Sequence, residues 1–202
     1  GHITKYHAGW MNYDIPRKYS IGFDTLFVWN AYWQEILLQH STYYTESNVQ
    51  IGGVLRKPKE LVVSRKKHTA DSQQLCMLIP YESLAPKAEV AYYMKQFQTF
   101  GMQIYFKVRP DVSVEMQLKE YGLTGQDVHV VHILSAEILS EIHVVGGVYS
   151  TFLTEMTVYD IPIAYFETSL TLGIDMVEHG IATRVTQHVT KEDIESIIKN
   201  HT

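Results

Sequence analysis

The chain has 202 residues, 46% of them hydrophobic and 19% charged, with a formal net charge of −5 and a single cysteine. Those values suit a globular protein of one ordinary domain plus an appendage, or of two small domains. They exclude an internal disulfide framework, argue against a nucleic-acid binder, and leave no apolar run near the ~18 residues of a membrane span. The lone Cys76 lies in an apolar run and points to a reducing compartment. No secretory signal is visible, so the expected setting is cytoplasmic.

Gly1 to Trp10 do not look like the start of a domain: two histidines, two glycines and aromatics come with no preceding strand. Either a natural chain is cut here or Gly1-His2 is an expression remnant. Thr25 to Trp29 reads as a strand and Ala31 to Gln39 as a helix, with Trp33, Ile36, Leu37 and His40 along one side. Val49 to Ile51 is a second strand, stopped by Gly52-Gly53. Together they make one β-α-β unit over residues 1–56. Residues 57–74 turn to Lys, Arg, Ser, Asp and Gln and form the best linker candidate. Their basic cluster, Arg65-Lys66-Lys67, reads as a solvated face, with docking at an anionic membrane surface as the sharper alternative.

Regular alternation follows from residue 75 onward. Cys76 to Pro80 is a strand, and a helix is expected from about Leu84 to Phe100 with Val90, Tyr93, Met94 and Phe97 on one face. Ile104 to Val108 is the next strand. Ser113 caps a short helix closed by Gly122, and Val128 to Ile133 is a buried-looking strand carrying His129 and His132. Ser135 caps Ala136 to Glu141. The apolar run Ile142, Val144, Val145 then meets Gly146-Gly147, expected as a tight turn, and Ser150 or Thr151 opens a helix bearing Phe152, Met156 and Tyr159. Strands at Pro162 to Phe166 and Ile181 to Val185 follow. Thr190 caps the last helix, residues 189–202, whose stripe is Ile194, Ile197 and Ile198. Such alternation predicts an α/β fold: a Rossmann-like parallel sheet over 75–188 with helices on both faces, plus the extra β-α-β unit in front.

A glycine-rich dinucleotide fingerprint and a Walker loop are both absent. What recurs is a polar group at successive strand ends: Tyr81-Glu82, then Lys107 and Arg109, then Ser135, then Ser150-Thr151. In a parallel sheet these ends share one edge and can converge on one ligand. Two cations and a hydroxyl-capped helix suit a phosphate or diphosphate. Glu155, one turn into that helix, is in reach of a ribose hydroxyl. Each residue also has a plainer role: Ser150 and Thr151 as helix caps, Glu82 as a favourable charge at the following helix, Arg109-Pro110 as a strand end. In the front segment His7, in a glycine- and aromatic-rich loop, is a candidate general base. No acidic metal-binding element accompanies His2 and His7, so no metal site is expected.

Gly1-His2-Ile3, His7, Gly9-Trp10, then Phe27-Val28-Trp29-Asn30, Tyr32-Trp33 and Glu35-Ile36-Leu37, then Ile51 to Arg56, together resemble bacterial surface-carbohydrate and capsule biosynthesis proteins. Those are similar in pattern to glycosyltransferases with two facing Rossmann-like domains, the GT-B fold. Lys107-Val108-Arg109-Pro110 resembles the Lys-x-His-Pro element of bacterial sialyltransferases and polyglycerolphosphate transferases, with Arg109 in the histidine's place. Tyr149-Ser150-Thr151 resembles their Ser-Ser/Thr element, which holds the donor phosphate.

The resemblance implies that this chain is the carboxyl-terminal part of a larger enzyme. Residues 1–56 would be the tail of an acceptor domain, 75–188 the nucleotide-donor domain, and 189–202 a helix packing back. It implies transfer of a sugar or glycerol-phosphate-like group from a nucleotide-activated donor to a cell-surface polysaccharide, at the inner face of the membrane. No cofactor or metal is expected, with the protein's own cations in that role; self-association and peripheral membrane contact are further expectations. A nucleotide-sugar epimerase of the same architecture and a non-catalytic nucleotide-binding or assembly module are the competing readings.

Overall fold

The computed structural model describes residues 24–28, 30–40, 44–52, 74–171 and 175–201. The chain divides into two compact units, Gly1–Lys57 and Pro58–Thr202. His7, Trp10, Trp29 and the basic cluster at 65–67 lie outside the described residues.

In the first unit, β1 (Leu26–Val28), α1 (Ala31–His40) and β2 (Val49–Ile51) form the expected β-α-β unit. The strands pair in parallel, Leu26 opposite Val49 and Val28 opposite Ile51. Helix α1 starts where the Asn30 side chain accepts the Trp33 N–H at 3.3 Å, an N-cap that satisfies one otherwise unpaired donor. Its Tyr32, Trp33, Ile36 and Leu37 are buried with Leu26, Val28 and Val49. Gln34 ties the helix to β2 by donating to the Val49 carbonyl at 2.8 Å.

The second unit holds β3 (Cys76–Pro80), α2 (Lys87–Thr99), β4 (Gln103–Lys107), α3 (Val114–Glu120), β5 (His129–Val131) and α4 (Ala136–Glu141). It continues through β6 (Val144–Gly147), α5 (Thr151–Met156), β7 (Ile163–Phe166), α6 (Asp175–Glu178), β8 (Ala182–Val185) and α7 (Lys191–Asn200). The six strands lie in the order β5-β4-β3-β6-β7-β8, every neighbouring pair parallel. Every residue of β3, β6 and β7 is buried, as expected where helices cover both faces of a parallel sheet. The expected α/β architecture is the one formed.

The helix stripes and caps fall where the pattern puts them. Helix α2 buries Val90, Ala91, Tyr93, Met94 and Phe97, and Tyr93 stacks on Phe166 of β7 at 4.8 Å between ring centroids. Ser113, Ser135 and Ser150 each accept a backbone N–H of the helix they precede. Thr190 and Asp193 form a reciprocal capping box.

Four details differ from expectation. Helix α2 begins at Lys87 rather than Leu84, because residues 82–85 commit their backbone groups elsewhere: the Leu84 N–H goes to the Tyr149 hydroxyl and the Ala85 N–H to the Glu82 carbonyl. Strand β5 spans only His129–Val131 rather than 128–133 and lies at the sheet edge, so of the two positions expected for His129 and His132, core or edge, they take the edge and are exposed, with His129 stacked on Tyr105 at 4.9 Å. The glycine pair is not the turn. Gly146 and Gly147 are the last two residues of β6, and the chain turns at Val148-Tyr149. A Cβ on Gly146 would lie 2.2 Å from Phe166 Cζ, so that glycine lets the aromatic core close over the sheet. The short helix α6 was not legible in the sequence at all.

Candidate functional site

Strand order reverses between β3 and β6: β4 and β5 lie on one side, β7 and β8 on the other. In open α/β sheets ligands bind outside the carboxyl ends of the strands at such a switch point. The loops at that point are 81–86, after β3, and 148–150, after β6.

These two loops are fastened across the crevice. Glu82 is 3% exposed. Its Oε1 accepts the Ser150, Tyr149 and Val148 amides at 2.7, 3.1 and 3.2 Å, and its Oε2 accepts the Val148 amide at 2.9 Å. A Cβ on Gly147 would stand 2.9 Å from Oε1, so the glycine leaves the space that the carboxylate fills. In the other direction the Tyr149 hydroxyl accepts the Leu84 amide at 2.7 Å.

Lys87, in the first turn of α2, donates to the carbonyls of Glu82 and Ser83 at 2.7 Å each and of Ala85 at 3.2 Å. Its ammonium sits over the rings of Tyr81 and Tyr121, 5.2 and 5.6 Å from their centroids. The Glu82 amide donates to the Tyr121 hydroxyl at 3.3 Å. Burial pushes the Glu82 carboxyl up, to about 7, against the pull of the Ser150, Val148 and Tyr149 amides and of Lys87. Burial lowers the Lys87 ammonium, and Glu120 and Glu82 raise it.

Lys107 ends β4 half-buried, its ammonium donating to the Val108 carbonyl at 2.7 Å. Burial lowers its pKa and the nearby Glu155 carboxylate raises it. Arg109 is engaged differently: its guanidinium grips Asp111 through two bonds of 2.9 and 2.6 Å on the surface. That grip holds the Asp111 carboxyl below its usual range. Buried Gln117 fixes the turn beneath, accepting the Arg109 amide at 2.8 Å and donating to the carbonyls of Arg109 and Val112 at 2.9 and 2.7 Å.

Ser135 caps α4 through the Ile138 amide at 3.3 Å. Ser150 caps α5 through the Phe152 amide at 3.2 Å. Thr151, the first residue of α5, is half-buried and its carbonyl accepts the Thr154 hydroxyl at 2.9 Å.

Of the residues singled out in the sequence, Glu82 and Ser150 are therefore directly bonded, Lys107 and Glu155 interact electrostatically, and Arg109 and Ser135 are engaged locally. The amides of residues 148–150, which suit an external anion, are filled by Glu82. Lys87 and Gln117 are site-building residues that the sequence did not single out, and Gly147 stood out only as part of an expected turn; a glycine pair inside an apolar run is also a signal of close approach. Among the described residues no group of three or more His, Cys, Asp and Glu could hold a metal ion, and no helix is long and apolar enough to cross a membrane.

No protein-family profile and no curated protein matches the chain. Solved structures do. The chain is similar to the glycotransferase of kitacinnamycin (14% identity, TM-score 0.43, 79% of this chain and 42% of that one). It is similar to the GtfA/B complex (16%, 0.42, 93% and 40%) and to Acinetobacter baumannii MurG (15%, 0.43, 85% and 55%). The chain thus spans 40% to 55% of the length of these three structures. At identities of 14% to 16% the likeness is one of backbone arrangement alone.

Proposed function

We propose that the second unit holds a nucleotide-activated donor at the switch point between β3 and β6, and serves the transfer of a sugar or glycerol-phosphate-like group to a cell-surface polysaccharide. The observation that supports the reading is the switch point itself, with half-buried Lys107 at the carboxyl end of β4 and the Ser150-capped start of α5 following β6. A half-buried ammonium is suited to the charge that develops on a departing phosphate, because stabilisation there is strongest where water is excluded. Glu155 is an acceptor for a ribose hydroxyl, and its carboxylate favours the charged form of Lys107. Ser150 and Thr151 offer hydroxyls at the same edge. Arg109 joins only if a phosphate draws it from Asp111. In this reading His7 is the base that activates the acceptor hydroxyl, the chemistry runs on protein cations without a divalent metal, and the enzyme works at the cytoplasmic face of a membrane.

The test is a calorimetric titration of the chain with CMP, CDP, UDP and GDP. A preference among them, lost on Lys107→Ala, is the expected result. Equal indifference to all four nucleotides would overturn the reading and favour an assembly module. Turnover of a nucleotide sugar to its epimer without acceptor would favour the epimerase.

A further inference from the structure

The amides of Val148, Tyr149 and Ser150 are three consecutive donors aimed at one point, and at that point lies a carboxylate of the same chain. We propose that these amides form an anion seat which the protein fills with Glu82, making Glu82 a positioning residue that holds the β6–α5 loop in shape before any ligand arrives. The inference concerns the chain's own loop and stands whether or not the crevice takes a nucleotide.

Three observations meet here. Consecutive N–H groups converging on one acceptor make a concave, positively polarised pocket, the arrangement that receives anions at many sites. The space is made to measure: Gly147 contributes no Cβ where one would stand 2.9 Å from Glu82 Oε1, and the Leu153 methyls close the same spot, each 3.1 Å from that position. The contact is also reciprocated, because the hydroxyl of Tyr149, itself the middle one of the three donor residues, takes the Leu84 amide of the opposite loop at 2.7 Å.

The charged and titratable groups facing Glu82 are few. Lys87 of α2 binds its carbonyl, Tyr121 at the end of α3 takes its amide, and Tyr149 supplies both an amide and a hydroxyl to the clasp. All four bonds to the carboxylate come from backbone amides of the β6–α5 loop, so the carboxylate does for this loop what a bound anion does for an empty nest. Ser150, whose amide gives the shortest of these bonds at 2.7 Å, is also the cap of α5. Fixing that amide therefore fixes where α5 begins and where its hydroxyls point.

The experiment is exchange of the backbone amides, followed by NMR, in the whole chain at about pH 8, above the range in which Glu82 titrates. In Glu82→Ala the amides of residues 148–150 are expected to exchange at least tenfold faster and the melting temperature to fall. Formate, a free carboxylate small enough for the vacated seat, is expected to restore both, saturably. Chloride at equal ionic strength should not, and neither salt should act on the natural chain. A folded Glu82→Ala protein that formate leaves unchanged, or whose three amides stay as protected as before, would overturn the proposal. Should that variant fail to fold, Glu82→Gln decides. It keeps the shape but loses the charge, and faster exchange at the three amides is expected. Unchanged exchange there would show that the side chain acts as filler and not as an anion.

Discussion

Glu82→Gln should change how stability depends on pH, and the direction is fixed by the structure. The carboxyl is buried on all sides, and burial lifts it from the ordinary 4.5 to about 7. A group raised in the folded state binds its proton more tightly there than in the unfolded chain. The proton-linked part of its contribution, separate from the four amide bonds that seat the carboxylate, is thus complete below about 4.5 and is lost as pH rises through about 7. At roughly 1.4 kcal/mol per unit, the loss over that window is about 3 kcal/mol. Glutamine cannot titrate, so the natural chain minus the variant isolates this contribution from every other group.

The assay is urea denaturation of both proteins across that range, followed by far-UV circular dichroism. All three tryptophans, residues 10, 29 and 33, lie before residue 58, so their fluorescence follows the first unit separately. The expected difference in unfolding free energy declines with pH towards the alkaline side. A difference that is flat, or that grows with pH, would show that the amides and Lys87 outweigh burial and hold Glu82 ionised throughout.

Lys107→Ala should weaken binding of the preferred nucleotide diphosphate tenfold or more, since a charge-assisted bond contributes about 1.5–3 kcal/mol. Arg109→Ala should cost only about threefold, because that guanidinium must first leave Asp111; calorimetry on both variants checks the order. Gly146→Ala drives a methyl to 2.2 Å from Phe166 Cζ in the core, and overpacking of this kind costs about 1–3 kcal/mol, read as a lowered melting temperature. Cys76 is buried, with its thiol pushed up to about 11 by burial and by Glu141, so alkylation near neutral pH should proceed only after denaturation. Turnover by the whole protein should survive EDTA, and activity lost in EDTA and regained with Mg²⁺ or Mn²⁺ would contradict that.

The parts of the fold that were legible in the sequence are those with local causes. The stripe of Val90, Tyr93, Met94 and Phe97 and the caps at Ser113, Ser135 and Thr190 depend on neighbours within a turn or two, and each is found in place. Strand alternation likewise foretold a parallel sheet, because crossovers between parallel strands need intervening chain.

What escaped has causes far along the chain. The destination of the Glu82 carboxylate is 66 to 68 residues away, and nothing near residue 82 announces it. Gly146 and Gly147 look like a turn from their composition; they are strand residues whose missing Cβ atoms admit Phe166 and Glu82. Arg109 looks like a free strand-end cation, and its capture by Asp111 follows from the turn that Gln117 builds beneath them. The short β5 with its exposed histidines reflects an edge position, and strand order is not written in alternation alone.

The central claim is that the switch-point crevice is a nucleotide site, and a map of backbone amide shifts in the chain saturated with a nucleoside diphosphate tests it most directly. The account predicts the largest shifts at Lys107, Thr151 and Glu155, with Ser150 moving less because its amide stays on Glu82. Shifts absent from these residues, or confined to the β5 edge or the first unit, would contradict it.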